Sequence, residues 1–278
     1  MAAARLVNVS GSRLCPNCRA LIDAETNQCV FCGARVGAFG FQRAPREGFT
    51  DKLMPNGNMA VPLLLLVNSA FFVGIHVSGS NALPTYGAKW LPAILNGDWW
   101  RLITAGYLHV QFFHIFMNMM SLYNLGPIVE EIYGTKRLFT LYTVATFAGF
   151  FLSALWAPGT HSLGASAGIF GLLGALIAVG MHSNSPIAQH LRNQCLMNAG
   201  IGLVMGFVLP MIDNAAHLGG LAGGFAIAYI AGLPRATNDF REKVWGILAG
   251  VSLLLTLLAF WSLATRVMLY NATVFPGQ

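Results

Sequence analysis

Ser166 stands in HSLGASAGIFGLLGALIA, residues 161–178, where a turn of small residues runs into an apolar helix. A serine hydroxyl is a weak nucleophile until a base takes its proton, and a neutral imidazole has the pKa to do so. His217 supplies that imidazole from a second small-residue segment, DNAAHLGGLAGG. A third segment, HVQFFHIFMN, carries His109, His114 and Asn118. His114 and Asn118 are four apart and share one helix face. With the backbone N–H of Ser166 at a helix N-terminus, they are the fixed donors that a developing oxyanion needs. Asp213, four residues before His217, is a possible orienting acid, but it falls in the loop, so the pattern points to a Ser–His dyad.

These groups lie in or beside apolar runs. The chain has 278 residues, 55% hydrophobic and 9% charged, where a soluble domain carries about a quarter charged residues. That composition is of an integral membrane protein. Runs able to cross a bilayer, which takes about 20 residues each, fall at 61–79, 112–129, 138–157, 166–182, 196–212, 215–232 and 246–265. Strongly polar residues are costly inside such spans, so each is a functional candidate. A lone histidine usually satisfies a neighbouring carbonyl, which accounts for His76, His161, His182 and His190 or sets them at the interface. A lone serine back-bonds to its own helix at little cost. The argument for chemistry is the combination of one serine, one histidine on a small-residue helix and a separate His/Asn pair.

Glycine spacing supplies the means of bringing them together. Gly220 and Gly224 form GxxxG on the His217 segment, and Ala167, Gly171 and Ala175 form a matching ridge behind Ser166. Small faces of this kind let two backbones approach closely in lipid, which would carry the His217 imidazole to the Ser166 hydroxyl.

Orientation follows from basic residues, which resist translocation when they flank spans. No apolar core of signal-peptide type precedes the first cysteines, so the N-terminus is expected inside. Arg5, Arg13, Arg19, Arg35, Arg43, Arg46, Lys52, Lys136, Arg137, Arg192, Arg235, Arg241 and Lys243 then fall on the cytoplasmic side, and Lys89, Arg101 and Arg266 outside. Seven spans put the C-terminus outside, where NAT at Asn271 has the form of a glycosylation acceptor, a tripeptide also frequent by chance. The net charge of +6 is a topology signal with, at most, some contact to anionic lipid heads; it does not call for nucleic acid. No 20–50-residue repeat marks a repeat-built transporter.

The first 50 residues are polar and carry CPNC and CVFC: Cys15, Cys18, Cys29 and Cys32. Two such knuckles set four thiolates around one tetrahedral ion, and a closed set of four leaves no position for substrate, so the expected zinc is structural. Gly33 suits the tight knuckle. A redox pair is the other reading of such cysteines, disfavoured on the cytoplasmic side where disulfides are rare. Cys195, the fifth, is read as a small buried apolar residue. The expected division is a head at 1–50, a linker at 51–60, a catalytic core at 61–232, and a loop, seventh helix and outer tail at 233–278.

Three motifs in order resemble the rhomboid family of intramembrane serine proteases: WWRLITAGYLHVQFFHIFMNMMSLYNLGPIVEEIYG, GASAGIFGLLG and AHLGGLAGG, within roughly residues 60–232. The resemblance implies an all-α polytopic fold, a six-helix core plus a C-terminal seventh transmembrane helix, preceded here by a small zinc-ribbon-like domain. It implies Ser166 as nucleophile and His217 as general base, with His114, Asn118 and the Ser166 N–H as the oxyanion site. It implies that Gly164 permits the turn before the serine, that Trp100 and Arg101 shape the loop between the first two spans, and that Glu130 holds that region together while Glu131 is its exposed neighbour. Many relatives carry tyrosine where Phe170 stands; its ring packs on the catalytic histidine, so the lost hydroxyl should leave activity intact. The seventh helix needs no catalytic role.

The implied activity is hydrolysis of a peptide bond in or next to the transmembrane segment of another protein. The substrate helix must unwind first, because its carbonyls are hidden in intrahelical bonds. Ser166 should then lie below the outer surface in a cavity lined by His109, His114 and Asn118. Catalysis needs no cofactor. A rhomboid-fold scaffold that binds membrane proteins without cutting them, and a transporter or channel relaying through His and Asn, are the rivals. The zinc head could dock a cytoplasmic partner. A bacterial inner membrane is the expected location.

Overall fold

The computed structural model describes residues 12–15, 17–18, 20–23, 26–35, 59–183, 185–209, 212–232 and 239–274. Linker positions 51–58, along with Arg5, Arg19, Arg43, Arg46, Lys52 and Arg235, lie outside the described residues.

A hairpin opens the described chain: β1 (Ser12–Leu14) pairs antiparallel with β2 (Leu21–Asp23), Arg13 opposite Ile22. The membrane block follows as α1 (Ala60–Ser78), three short helices in the loop after it, α2 (Ala82–Gly87), α3 (Leu91–Leu95) and α4 (Arg101–Thr104), then α5 (Phe112–Tyr133), α6 (Thr135–Trp156), α7 (Ser166–Met181), α8 (Pro186–Val208), α9 (Asn214–Ala231) and α10 (Asp239–Val274). All seven expected spans are helices. The fifth starts ten residues earlier than its apolar pattern, because Pro186 at its first position is preset for a helix. The last exceeds its pattern at both ends.

Among the described residues, α1, α6 and α10 are long and apolar enough to cross a bilayer by composition alone. The others are diluted by the polar and small residues that the interior uses, and α7 is short. α7 is the centre: Ala167 through Gly180 are all buried, walled by α5, α6, α8 and α9. By contrast α8 buries only Ala188, Cys195 and Ala199, so most of its surface faces lipid.

The α9–α7 and α9–α6 contacts are backbone against backbone. A Cβ on Gly220 would lie 2.1 Å from the carbonyl oxygen of Ala167, and one on Gly224 2.1 Å from that of Gly171. The expected GxxxG register is therefore observed. Ala175 is buried, and its carbonyl accepts from the Tyr133 hydroxyl of α5. The neighbouring glycines serve the opposite face: a Cβ on Gly219 would meet the Ala148 carbonyl of α6 at 2.7 Å, and one on Gly223 the Ala148 side chain at 2.8 Å. The two GG pairs of AHLGGLAGG thus let α9 sink between two helices at once.

Trp100, Arg101 and Glu130 are structural. Arg101 is buried, donates from Nε to Asp98 (3.0 Å), and donates to the carbonyls of Thr85 and Ala88 (2.9 and 2.8 Å); Trp100 Nε1 donates to the Tyr86 carbonyl. Together they knit α2 to α4. Glu130 accepts from the Ala60 and Val61 N–H groups (2.8 and 3.1 Å) and from the Thr135 hydroxyl. A carboxylate on α5 thereby caps the N-terminus of α1, where the helix dipole favours it; Glu131 is exposed. α10 packs along the same region: Phe260 stacks on Phe71 and edges Tyr107, Leu263 is buried beside Gly87, and Arg137 of α6 pairs with Glu242.

Candidate active site and cysteine head

Ser166 is the first residue of α7 and His217 lies in the first turn of α9. Sixteen residues span roughly 24 Å at 1.5 Å each, less than the ~30 Å hydrocarbon core. At that length α7 crosses only part of the core, so at least one of its ends stops short of a surface. Ser166, His217, His114 and Asn118 line one cavity of about 710 Å³, walled otherwise by α5 and the lipid-facing α8. Ser121, Asn124, Gln194 and Asn198 add polar groups to that wall. Of these, Ser121, Asn124 and Asn198 sat inside expected spans and Gln194 just before one; that they face this cavity needed the helix faces.

The His217 ring stacks on Phe170, centroids 4.0 Å apart and planes 13° from parallel, and its buried Nδ1 has no hydrogen-bond partner among the described residues. Among the described residues no hydrogen bond joins the Ser166 hydroxyl to the His217 ring. Both groups face the cavity from backbones in contact, and catalytic hydrogen bonds often close only around substrate. Phe170 is held from the far side by Gly202 of α8, where a Cβ would lie 2.6 Å from the ring tip. Gly202 escaped the sequence reading because a lone glycine in a helix carries no signal of what it faces.

The turn before the serine explains Gly164. Its φ is +130°, a region L side chains avoid, and a Cβ there would stand 2.5 Å from His114 Cε1. His114 packs edge-on against His109, centroids 5.0 Å apart, while the Asn118 amide donates back to the His114 carbonyl at 3.0 Å.

His109 corrects one expectation. It does not line the cavity: it is fully buried, and its Nε2 accepts the Ala165 N–H at 3.2 Å. That bond leaves no lone pair at Nε2, so His109 fixes the loop one residue ahead of the nucleophile. A histidine just before a helix looks the same in sequence whether it faces inward to the loop or outward to water.

Among the described residues Asp213 makes no hydrogen bond to the His217 ring: its Oδ1 accepts the Ala216 N–H at 2.9 Å, capping α9, and its Oδ2 accepts from Ser153. His76 and His182 each bond the carbonyl four residues back in their own helix, and Cys195 is buried, as expected for them.

In the head, the Sγ atoms of Cys15, Cys18, Cys29 and Cys32 all lie within 4.8 Å of one another, with Cys15–Cys32 at 3.7 Å and Cys18–Cys29 at 3.5 Å. A tetrahedral zinc with bonds of ~2.3 Å sets its sulfurs about 3.8 Å apart, so the cluster fits. The two knuckles are one motif used twice: Cys15 N–H donates to the Ala20 carbonyl and Cys29 N–H to that of Ala34, both at 2.8 Å. Gly33 has φ +70°. The Ala34 N–H and the Asn17 amide pull the Cys32 thiol down to about 6, while burial pushes Cys29 up. Four cysteines this close together could bind a metal.

Residues 96–234, half of the chain, match the family model described as Rhomboid domain. The chain is 34% identical over 178 residues to "Rhomboid protease GluP" of Bacillus subtilis (strain 168), covering 63% of this chain and 35% of that protein. It is 35% identical over 158 residues to "RHOMBOID-like protein 4" of Arabidopsis thaliana, covering 54% and 39%, and 27% identical over 168 residues to "Rhomboid-like protease 3" of Toxoplasma gondii, covering 59% and 64%. The chain therefore spans less than two thirds of the length of each of these relatives.

Proposed function

This chain belongs to the rhomboid family of integral membrane proteins, and from that premise we propose that it is an intramembrane serine endopeptidase. Its substrates are proteins with a transmembrane segment, cut in or next to that segment. The observation that carries the reading is the shared cavity: Ser166 and His217 face it from helices whose backbones touch, with His114 and Asn118 on the opposite wall.

In this mechanism His217 takes the proton of Ser166 as Oγ attacks the scissile carbonyl. The oxyanion is received by the Ser166 N–H, His114 and the Asn118 amide. His217 then protonates the leaving amine, and water, reaching the acyl-enzyme through the same cavity, releases the carboxyl fragment. The exposed α8 supports entry of an unwound segment from the lipid, because that cavity wall is the least packed of the core. Small, helix-breaking residues near the cut favour unwinding.

The division into a head at 1–50, a linker at 51–60, a catalytic core at 61–232 and a C-terminal part at 233–278 belongs to this reading. So does a structural zinc on Cys15, Cys18, Cys29 and Cys32. With the N-terminus cytoplasmic, the Ser166 end of α7 opens outward in a bacterial inner membrane. Lys136, Arg137, Arg192, Arg241 and Lys243 support that sidedness.

Co-expression with tagged single-span proteins tests the activity. A fragment present with the natural chain and absent with both Ser166→Ala and His217→Ala is expected. Intact substrates that co-purify with all three forms, with no phosphonate adduct on Ser166, would instead mark a binding scaffold.

A further inference from the structure

Lys89 is a cation that the hydrolytic mechanism does not use, and it is fully buried. It lies between α2 and α3, and its backbone exchanges hydrogen bonds with Ser162, at 2.8 and 3.1 Å, in the loop that leads to Ser166. Its ammonium donates to the Ala157 carbonyl (3.1 Å), the Thr160 carbonyl (3.1 Å) and the Thr160 hydroxyl (2.7 Å). Among the described residues its one salt-bridge partner is Asp213, with Oδ2 4.0 Å away. Burial lowers the lysine pKa while the carboxylate opposes the shift.

Helix ends account for both charges. Ala157 caps the C-terminus of α6, the negative end of that helix dipole, where a cation is favoured. Asp213 caps the N-terminus of α9, the positive end, where an anion is favoured. Asp213 also accepts from Ser153, which is fully buried in the last turn of α6. Asp213 reaches His217 through two bonds: its Oδ1 takes the Ala216 N–H, and its carbonyl takes the His217 N–H at 3.0 Å. One pair, a buried lysine and a partly exposed aspartate, thus ties together the end of α6, the loop before the nucleophile and the start of the helix that carries the base.

We propose that Lys89 and Asp213 are positioning residues that act as one unit, fixing the first turn of α9, and with it the His217 ring, relative to the loop that presents Ser166. The role rests on the Ser166–His217 reading. Lys89 does not line the cavity and Asp213 stands at its edge; removing either lets the base drift from the hydroxyl, and proton transfer is steep in that geometry.

The test uses the purified full chain in lipid vesicles with a single-span substrate that it cleaves. kcat, KM and the melting temperature are measured well below each melting point, and competent sites are counted by phosphonate titration of Ser166. Ser166→Ala runs alongside: absence of any Ser166-dependent cleavage by the natural chain would sink the protease reading and this role with it. Lys89→Met is expected to lose about tenfold or more in kcat per competent site, with KM within about twofold. Asp213→Asn keeps an oxygen for Ala216 but removes the charge, and several-fold in kcat should go with it. The double variant should lose no more than the worse single one, the mark of a shared unit. Wild-type kcat per competent site in Lys89→Met or in Asp213→Asn overturns the role, as does a double variant whose loss is the product of the two. Should Lys89→Met fail to fold, Asp213→Asn alone decides.

Discussion

The cysteine head and the catalytic cavity each gather four functional residues around a point, but by opposite means. In the head the ligands come from 18 consecutive positions, and two copies of one knuckle, closed by the same Cys-to-Ala backbone bond, bring the sulfurs within 4.8 Å. In the core His114, Asn118, Ser166 and His217 come from three helices spread over more than a hundred positions. No local turn joins the three helices; the glycine seams of α9 bring the His217 helix onto that of Ser166. A site made by local turns depends on its ligand, whereas a site made by packing depends on side chains that are missing.

The largest effect should come from the core chemistry. Ser166→Ala and His217→Ala should each lower cleavage by about 10³-fold or more, read as fragment yield, while metal content of the purified chain stays at the natural value. Loss of metal in either variant would mean that the two regions are coupled and that the contrast is false.

Next comes the seam. Gly220→Ala places a methyl 2.1 Å from a backbone oxygen, whereas a methyl on Gly200 meets nothing within 4 Å. Phosphonate labelling of Ser166 should fall by an order of magnitude or more in Gly220→Ala and change by less than about twofold in Gly200→Ala. Equal labelling in the two would show that helix contact is not what assembles the dyad.

The head gives the converse. Chelation, or Cys15→Ser with Cys29→Ser, should remove its metal and unfold it, since small metal domains draw their folding energy from the ion. Ser166-dependent cleavage of a substrate confined to the membrane should stay within about threefold. A fall in step with metal loss would make the head a working part of the catalytic unit.

The same contrast decides what the sequence could reveal. The knuckles were legible down to Gly33, because ligand spacing and turn geometry are both local. The core was legible as residue types: Ser166, His217, His114 and Asn118 stood out because polar groups in apolar runs demand a reason, and Gly220 and Gly224 because four-residue spacing marks one helix face. Gly219 and Gly223, one position earlier, gave no sign that α9 is packed on two sides. His109 went astray because it lies in the loop between α1 and α5, where hydropathy cannot tell a side chain facing water from one folded under its own backbone; a cavity-lining histidine was expected where a buried prop is found. For the same reason the burial of Lys89 in that loop gave no sign. The loop helices α2 to α4 were likewise invisible, being too short for periodicity to register.

The smallest effect tests how finely packing sets the core. The Phe170 ring lies flat on His217 with its tip aimed at Gly202. A tyrosine there would point its hydroxyl at the α8 backbone, and overpacking of that kind costs about 1–3 kcal/mol. Phe170→Tyr should therefore lower the melting temperature by a few degrees and kcat by roughly two- to fivefold, with the stack on His217 kept. Gly202→Ala, which crowds the same point from the other helix, should act alike, and the two together should add to less than their sum because they press on one contact. A Phe170→Tyr variant more stable than the natural chain would show that α8 yields at this point, making the least buried helix of the core an adjustable wall of the cavity.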